Sequence, residues 1–98
     1  MKTYVIRRRH GWKTPEELQA AAARSKDVGD NEMSTDIRWL RSYVVAEEDG
    51  ALGTVCIYQA SSPEKIREHA DRVGMPADEI TPVADTVVVR PDPTTVAA

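Results

Sequence analysis

Residues 37–60 read IRWLRSYVVAEEDGALGTVCIYQA, and the fold turns on how this stretch is divided. Residues 37–46 place Ile37, Trp39, Arg41, Tyr43 and Val45 on one face of an extended chain and Arg38, Leu40, Ser42 and Val44 on the other. Neither face is purely polar, which predicts a strand covered at least partly on both sides. Glu47, Glu48, Asp49 and the glycines at 50 and 53 then form a turn, and residues 54–60 a further strand. So short a connection makes the two strands an antiparallel hairpin.

On the N-terminal side, Tyr4, Ile6 and Arg8 alternate with Val5 and Arg7 in a first strand over residues 2–9, closed by the turn His10-Gly11-Trp12-Lys13. Thr14-Pro15-Glu16-Glu17 is a helix start: threonine caps, proline suits the first helical position, and Glu17 completes a capping box. Leu18, Ala21, Ala22 and Ser25 recur at helical spacing as a narrow stripe of small residues, fit for close approach to a sheet. Lys26 and Gly29 suit the end of this helix, and residues 30–36 read as a polar loop. On the C-terminal side, Ser61-Ser62-Pro63-Glu64 opens a second helix that turns Ile66, His69, Ala70 and Val73 inward and stops at Gly74. A connector with two prolines follows over residues 75–82, then a β-branched last strand over residues 83–90.

The order is therefore strand, helix, strand, strand, helix, strand. This predicts an α+β, ferredoxin-like βαββαβ domain over residues 1–90, with two helices on one face of a four-stranded antiparallel sheet. Residues 91–98 hold two prolines and no apolar pattern, and are expected to be a flexible tail. Two helices cover one face only. The other, carrying apolar and aromatic side chains, calls for a second copy in a dimeric, barrel-like arrangement.

The chain has 98 residues, enough for one modest core, and with no phenylalanine that core draws on aliphatic residues, two Trp and three Tyr. A net charge of −3 gives no general attraction to nucleic acid or anionic membrane. The run Arg7-Arg8-Arg9 is split between opposite faces of a strand rather than gathered into a phosphate-binding patch. The single Cys56 forms no internal disulfide and fits a reducing compartment. No early apolar stretch and no membrane-length run are seen, so a cytoplasmic protein is expected.

Trp39-Leu40-Arg41-Ser42-Tyr43-Val44, Cys56-Ile57-Tyr58-Gln59-Ala60, residues 63–70 (PEKIREHA) and residues 74–80 (GMPADEI) together resemble a family of small bacterial proteins long catalogued as a domain of unknown function. It is common in actinobacteria. The opening strand and the Thr14-Pro15-Glu16-Glu17-Leu18 helix start are also similar, so the likeness spans about residues 2–90. It implies a ferredoxin-like fold, a homodimer and, as described for some members, nickel binding. The hairpin of residues 47–53 is longer than the family's form.

His69, set among apolar residues on an inward helix face, is the candidate ligand for nickel (or zinc or cobalt), or a proton carrier. The plain alternative is a partly buried histidine hydrogen-bonded to a strand residue. Cys56 shares a strand face with Thr54 and Tyr58; its thiolate suits nickel or zinc, and its other reading is a small buried apolar residue. No CxxC or HxxxH spacing is present, so a metal site must be assembled from separate elements or from two subunits. Tyr43 and Tyr58, with Trp39, line a possible ligand pocket or else serve as core and interface aromatics. Glu47, Glu48 and Asp49 lack the ligand spacing of a calcium loop, and His10 is an exposed ligand or a bystander. No nucleophile elbow, phosphate loop or zinc-protease helix occurs, so no catalytic residue is assigned. Two functions stand out: a divalent-metal-binding protein, and a small dimeric isomerase or cofactor-independent monooxygenase acting on a small molecule, the latter by analogy of fold.

Overall fold

The computed structural model describes residues 1–93. Its elements are β1 (Lys2–Trp12), α1 (Pro15–Asp27), β2 (Ile37–Ala46), β3 (Leu52–Ala60), α2 (Pro63–Val73) and β4 (Glu79–Pro82). The sheet runs β2-β3-β1-β4 with every pairing antiparallel. This is the ferredoxin-like α+β arrangement predicted from the element order.

Both helix starts form as the capping chemistry requires. Thr14 Oγ1 accepts from Glu17 N at 3.2 Å, and Glu17 returns a carboxylate oxygen to Lys13 N at 2.9 Å. Ser62 Oγ accepts from Lys65 N at 3.3 Å, and Gly74 closes α2 with φ 83°, a conformation that favours glycine. The core packs Ile66 and Val73 of α2 against Tyr4 and Ile6 of β1, Ile37 of β2 and Tyr58 of β3.

Four features depart from the sequence reading. Strand β1 runs on through the expected turn to Trp12, with an irregularity after Arg8 where His10 takes φ 51°. Helix α1 is followed directly by one turn of π-helix, Val28–Glu32, which buries Val28 and Gly29 and carries the chain into the span expected as a polar loop, residues 30–36, where Met33 is also buried. In β2 the pairing shifts between Trp39, opposite Tyr58, and Arg41, opposite Ile57. Leu40 is the extra residue of a β-bulge, so the faces exchange: Ser42 and Val44 lie on the helix side, with Ile37 and Trp39, while Arg41 and Tyr43 lie on the outer side.

The last strand occupies Glu79–Pro82 rather than residues 83–90. Antiparallel pairing sets Pro82 opposite Tyr4, and Val83 N donates to Thr3 O at 2.9 Å. Beyond that point β1 has run out of residues, so the β-branched run has no strand to pair with. It crosses the outer sheet face instead: residues 83–92 border Val5, Ile57 and Tyr43. Asp92 is tied to Arg41 Nη1 at 2.8 Å and to the Tyr43 hydroxyl at 2.7 Å. Val87, Val88 and Val89 stay exposed. Of the expected tail, residues 94–98 lie outside the described residues. Among the described residues no helix is long and apolar enough to cross a membrane.

Candidate functional site

Helix α1 rests on β1 and α2 and stands off from β2. The gap is a cleft of about 310 Å³ between α1 and the inner sheet face, at the small end of the ~300–1,000 Å³ range of organic-ligand pockets. Leu18 and Ala22 of α1 form one wall, and Trp12, Trp39 and Val44 contribute from the sheet. The small-residue stripe of α1 creates this space, because larger side chains at positions 21, 22 and 25 would fill it.

A few polar groups enter this apolar enclosure. Tyr58 is 1% exposed, and its hydroxyl lies 3.0 Å from Ser25 Oγ. Burial pushes the phenol pKa up, against the opposing effects of Ser25 and the nearby Arg8 charge, so Tyr58 stays protonated. Trp39 stacks on Tyr58 with ring centres 6.1 Å apart, and Trp39 Nε1 donates to Ser42 Oγ at 2.8 Å. The Cys56 thiol also lines the cleft and donates to Thr54 Oγ1 at 3.3 Å. Arg8 completes the wall, 1% exposed, with Nη1 donating to Pro76 O at 2.7 Å and its guanidinium carbon 5.8 Å from the centre of the Tyr58 ring.

His69 points inward as its helix face predicted and is fully buried. It does not line the cleft; it meets the Tyr58 ring edge-on, with centroids 5.5 Å apart. Its Nε2 lies 3.0 Å from Ser25 O. A carbonyl only accepts, so Nε2 carries the proton and Nδ1 the lone pair, and Nδ1 has no partner. The histidine thus binds the other helix, not a strand. Burial lowers its pKa, with Arg8 adding in the same direction and the Ser25 carbonyl opposing, so the ring is neutral at physiological pH. A neutral ring packed in the core outside the cleft is not placed to move a proton on a bound substrate.

The structure therefore brings Cys56, Tyr58 and Trp39 together and keeps His69 behind Tyr58. Tyr43 is a correction: the bulge at Leu40 turns it to the outer face, where it meets Asp92 and cannot share a pocket with Tyr58. His10 sits at the sheet end between Asp49, 3.0 Å away, and Glu47, 3.9 Å away. Glu47 is already engaged there, accepting from Arg7 Nη2 at 2.7 Å and from His10 N at 2.9 Å.

Among the described residues, no three His, Cys, Asp or Glu side chains are grouped to hold a metal. His69 offers one lone pair, Nδ1, and the Arg8 charge that depresses its proton affinity also opposes a cation there. The described residues of one chain do not make a complete nickel site. The residue that sequence reasoning missed is Arg8, although a signal existed: it continues the Tyr4, Ile6 alternation and so falls on the inner face.

Comparison with known proteins adds two findings. The model of the family described as nickel responsive protein SCO4226-like matches residues 4–83. The crystal structure of SCO4226 from Streptomyces coelicolor A3(2) is similar with a TM-score of 0.67 at 20% identity, covering 87% of this chain and 99% of that one. At that identity the likeness bears on the fold alone. No curated protein matches the chain.

Proposed function

We propose that this chain, which belongs to the family of nickel responsive proteins resembling SCO4226, is a cytoplasmic homodimer that binds a divalent metal ion, nickel foremost. The family match over residues 4–83 carries this reading. The family description speaks of response to nickel; binding is the step added here. The donors put forward are Nδ1 of His69, a buried imidazole lone pair without a partner, and the Cys56 thiol on the cleft wall. The described residues of one chain group no metal-holding set, so further ligands would have to come from outside it. The second copy is supported separately, by the outer face, where Leu40 and residues 87–89 leave large apolar side chains exposed.

The test is calorimetric titration of tag-free, chelator-treated protein with Ni²⁺, Zn²⁺ and Co²⁺, alongside light scattering for mass. Binding with proton release at one site per dimer or per chain, weakened in His69→Gln and Cys56→Ser, is the expected result. Binding untouched by both substitutions would overturn the choice of donors. Absence of binding would overturn the metal reading, and a monomeric mass the dimer.

A further inference from the structure

Three consecutive arginines leave β1 with different partners. Arg7 pairs with Glu47 at 2.7 Å and Arg9 with Glu79 at 2.6 Å. Arg8 between them has no carboxylate within 4 Å among the described residues, yet it is the most deeply buried of the three. Its Nη2 is enclosed and makes no hydrogen bond. A guanidinium cannot shed its charge at any physiological pH. Burying it without a counter-charge is unfavourable, and the Pro76 carbonyl and the Tyr58 ring offset only part of that. A domain that needed only stability would carry an aliphatic residue in this core position.

Arg8 also lines the 310 Å³ cleft, whose other walls include both tryptophans of the chain, Trp12 and Trp39. A fixed cation at the wall of an apolar, aromatic enclosure matches one chemical class. We propose that the cleft binds a small organic monocarboxylate, its carboxylate held by Arg8 and its apolar body packed against Trp12 and Trp39. A carboxylate accepts from guanidinium N–H groups in charge-assisted bonds, and a turn of the Arg8 guanidinium toward the cleft on binding would give the enclosed Nη2 the partner it lacks. Apolar walls exclude water, which strengthens that pairing and rejects an inorganic anion that cannot fill the space. The cleft shares Cys56 with the metal reading, but the carboxylate proposal does not rest on a metal, because the charged side chain on the cleft's lining is the Arg8 cation, and it is tested in metal-free protein.

The experiment titrates metal-free, chelator-treated protein with benzoate and 2-naphthoate, and in parallel with benzamide and 2-naphthamide, following the emission of Trp12 and Trp39. At least one carboxylate should bind, at least about tenfold more tightly than its amide. Arg8→Met, which keeps the apolar stem and removes the charge, should abolish that preference while raising the melting temperature, because an uncompensated buried charge is gone. Ala22→Phe, which fills the cleft from α1 without touching Arg8, should abolish binding in a folded protein. Failure of both carboxylates to bind at millimolar concentration would overturn the proposal. So would equal affinity for acid and amide, or discrimination that survives Arg8→Met.

Discussion

Nε2 of His69 donates to the carbonyl oxygen of Ser25 across 3.0 Å, so one imidazole of α2 ties down the last turns of α1. The bond has a definite dependence on pH. The native ring resists protonation because it is buried, whereas the unfolded ring has its ordinary value near 6.5. Above 6.5 neither state takes a proton and His69 makes no difference to the pH profile. Below it the unfolded chain takes the proton first, so stability falls with pH, by up to about 1.4 kcal/mol per unit until the lowered native value is reached. In chelator-treated protein, His69→Gln should flatten the urea-midpoint profile below pH 6.5. An unchanged profile in that variant would show that the slope comes from other groups.

Ser25 serves twice, since its hydroxyl also meets the buried Tyr58 hydroxyl at 3.0 Å. Ser25→Ala leaves that phenol without a partner and should cost about 1–3 kcal/mol. Tyr58→Phe removes both ends of the need and should cost less in the Ser25→Ala background than in the native one. Denaturation of the four proteins of this cycle measures the coupling; strictly additive losses would mean the two hydroxyls do not support each other.

Much of this architecture was legible because local signals and the global fold agree. Thr14, Pro15 and Glu17 announce α1 chemically, as Ser62, Pro63 and Gly74 announce and end α2. The face Ile66, His69, Ala70, Val73 is buried as its spacing foretold. Three things were hidden for identifiable reasons. A strict alternation through β2 cannot register one inserted residue, and Leu40 resets every side chain after it. The valines at 87–89 have strand propensity, but propensity is not pairing, and β1 offers no residue opposite them. The turn Val28–Glu32 looks polar by composition, yet its i to i+5 bond, Met33 N to Val28 O at 3.0 Å, swings Val28 and Met33 into the core. The candidate site suffered most from the bulge, which separates Tyr43 from Tyr58.

Asp92 holds residues 83–92 across the outer sheet face through Arg41 and Tyr43. All three groups are solvent-facing, so the tie orders a segment more than it stabilises the domain. Asp92→Ala and Tyr43→Phe should each speed amide exchange in residues 83–92 and leave α2 unchanged. Equal protection in the variants would assign the ordering to the apolar residues of the segment.

At the far end of the sheet, Gly53 gives way to Glu47. A Cβ on residue 53 would stand 2.6 Å from Arg8 O, 2.7 Å from Glu47 Oε2 and 2.8 Å from Arg7 Nη1. One of the three contacts is backbone, so the clash cannot be relieved by a side chain alone, and Gly53→Ala should destabilise by about 1–3 kcal/mol. It should also displace the carboxylate, which matters for acid stability. The His10 backbone N–H, followed by the Arg7 guanidinium, holds the Glu47 pKa below the ordinary carboxylate value. Its contribution is present above that ordinary value and is lost as pH falls through the lowered native one. Glu47→Gln should therefore weaken the fold at neutral pH and make the acid limb shallower. In a Gly53→Ala background the same substitution should do less, because the carboxylate has already been pushed from its donors. Acid titrations of the two single variants and the double variant, followed by circular dichroism, decide the matter: full additivity would place the glycine's role in the strand backbone and not in making room for Glu47.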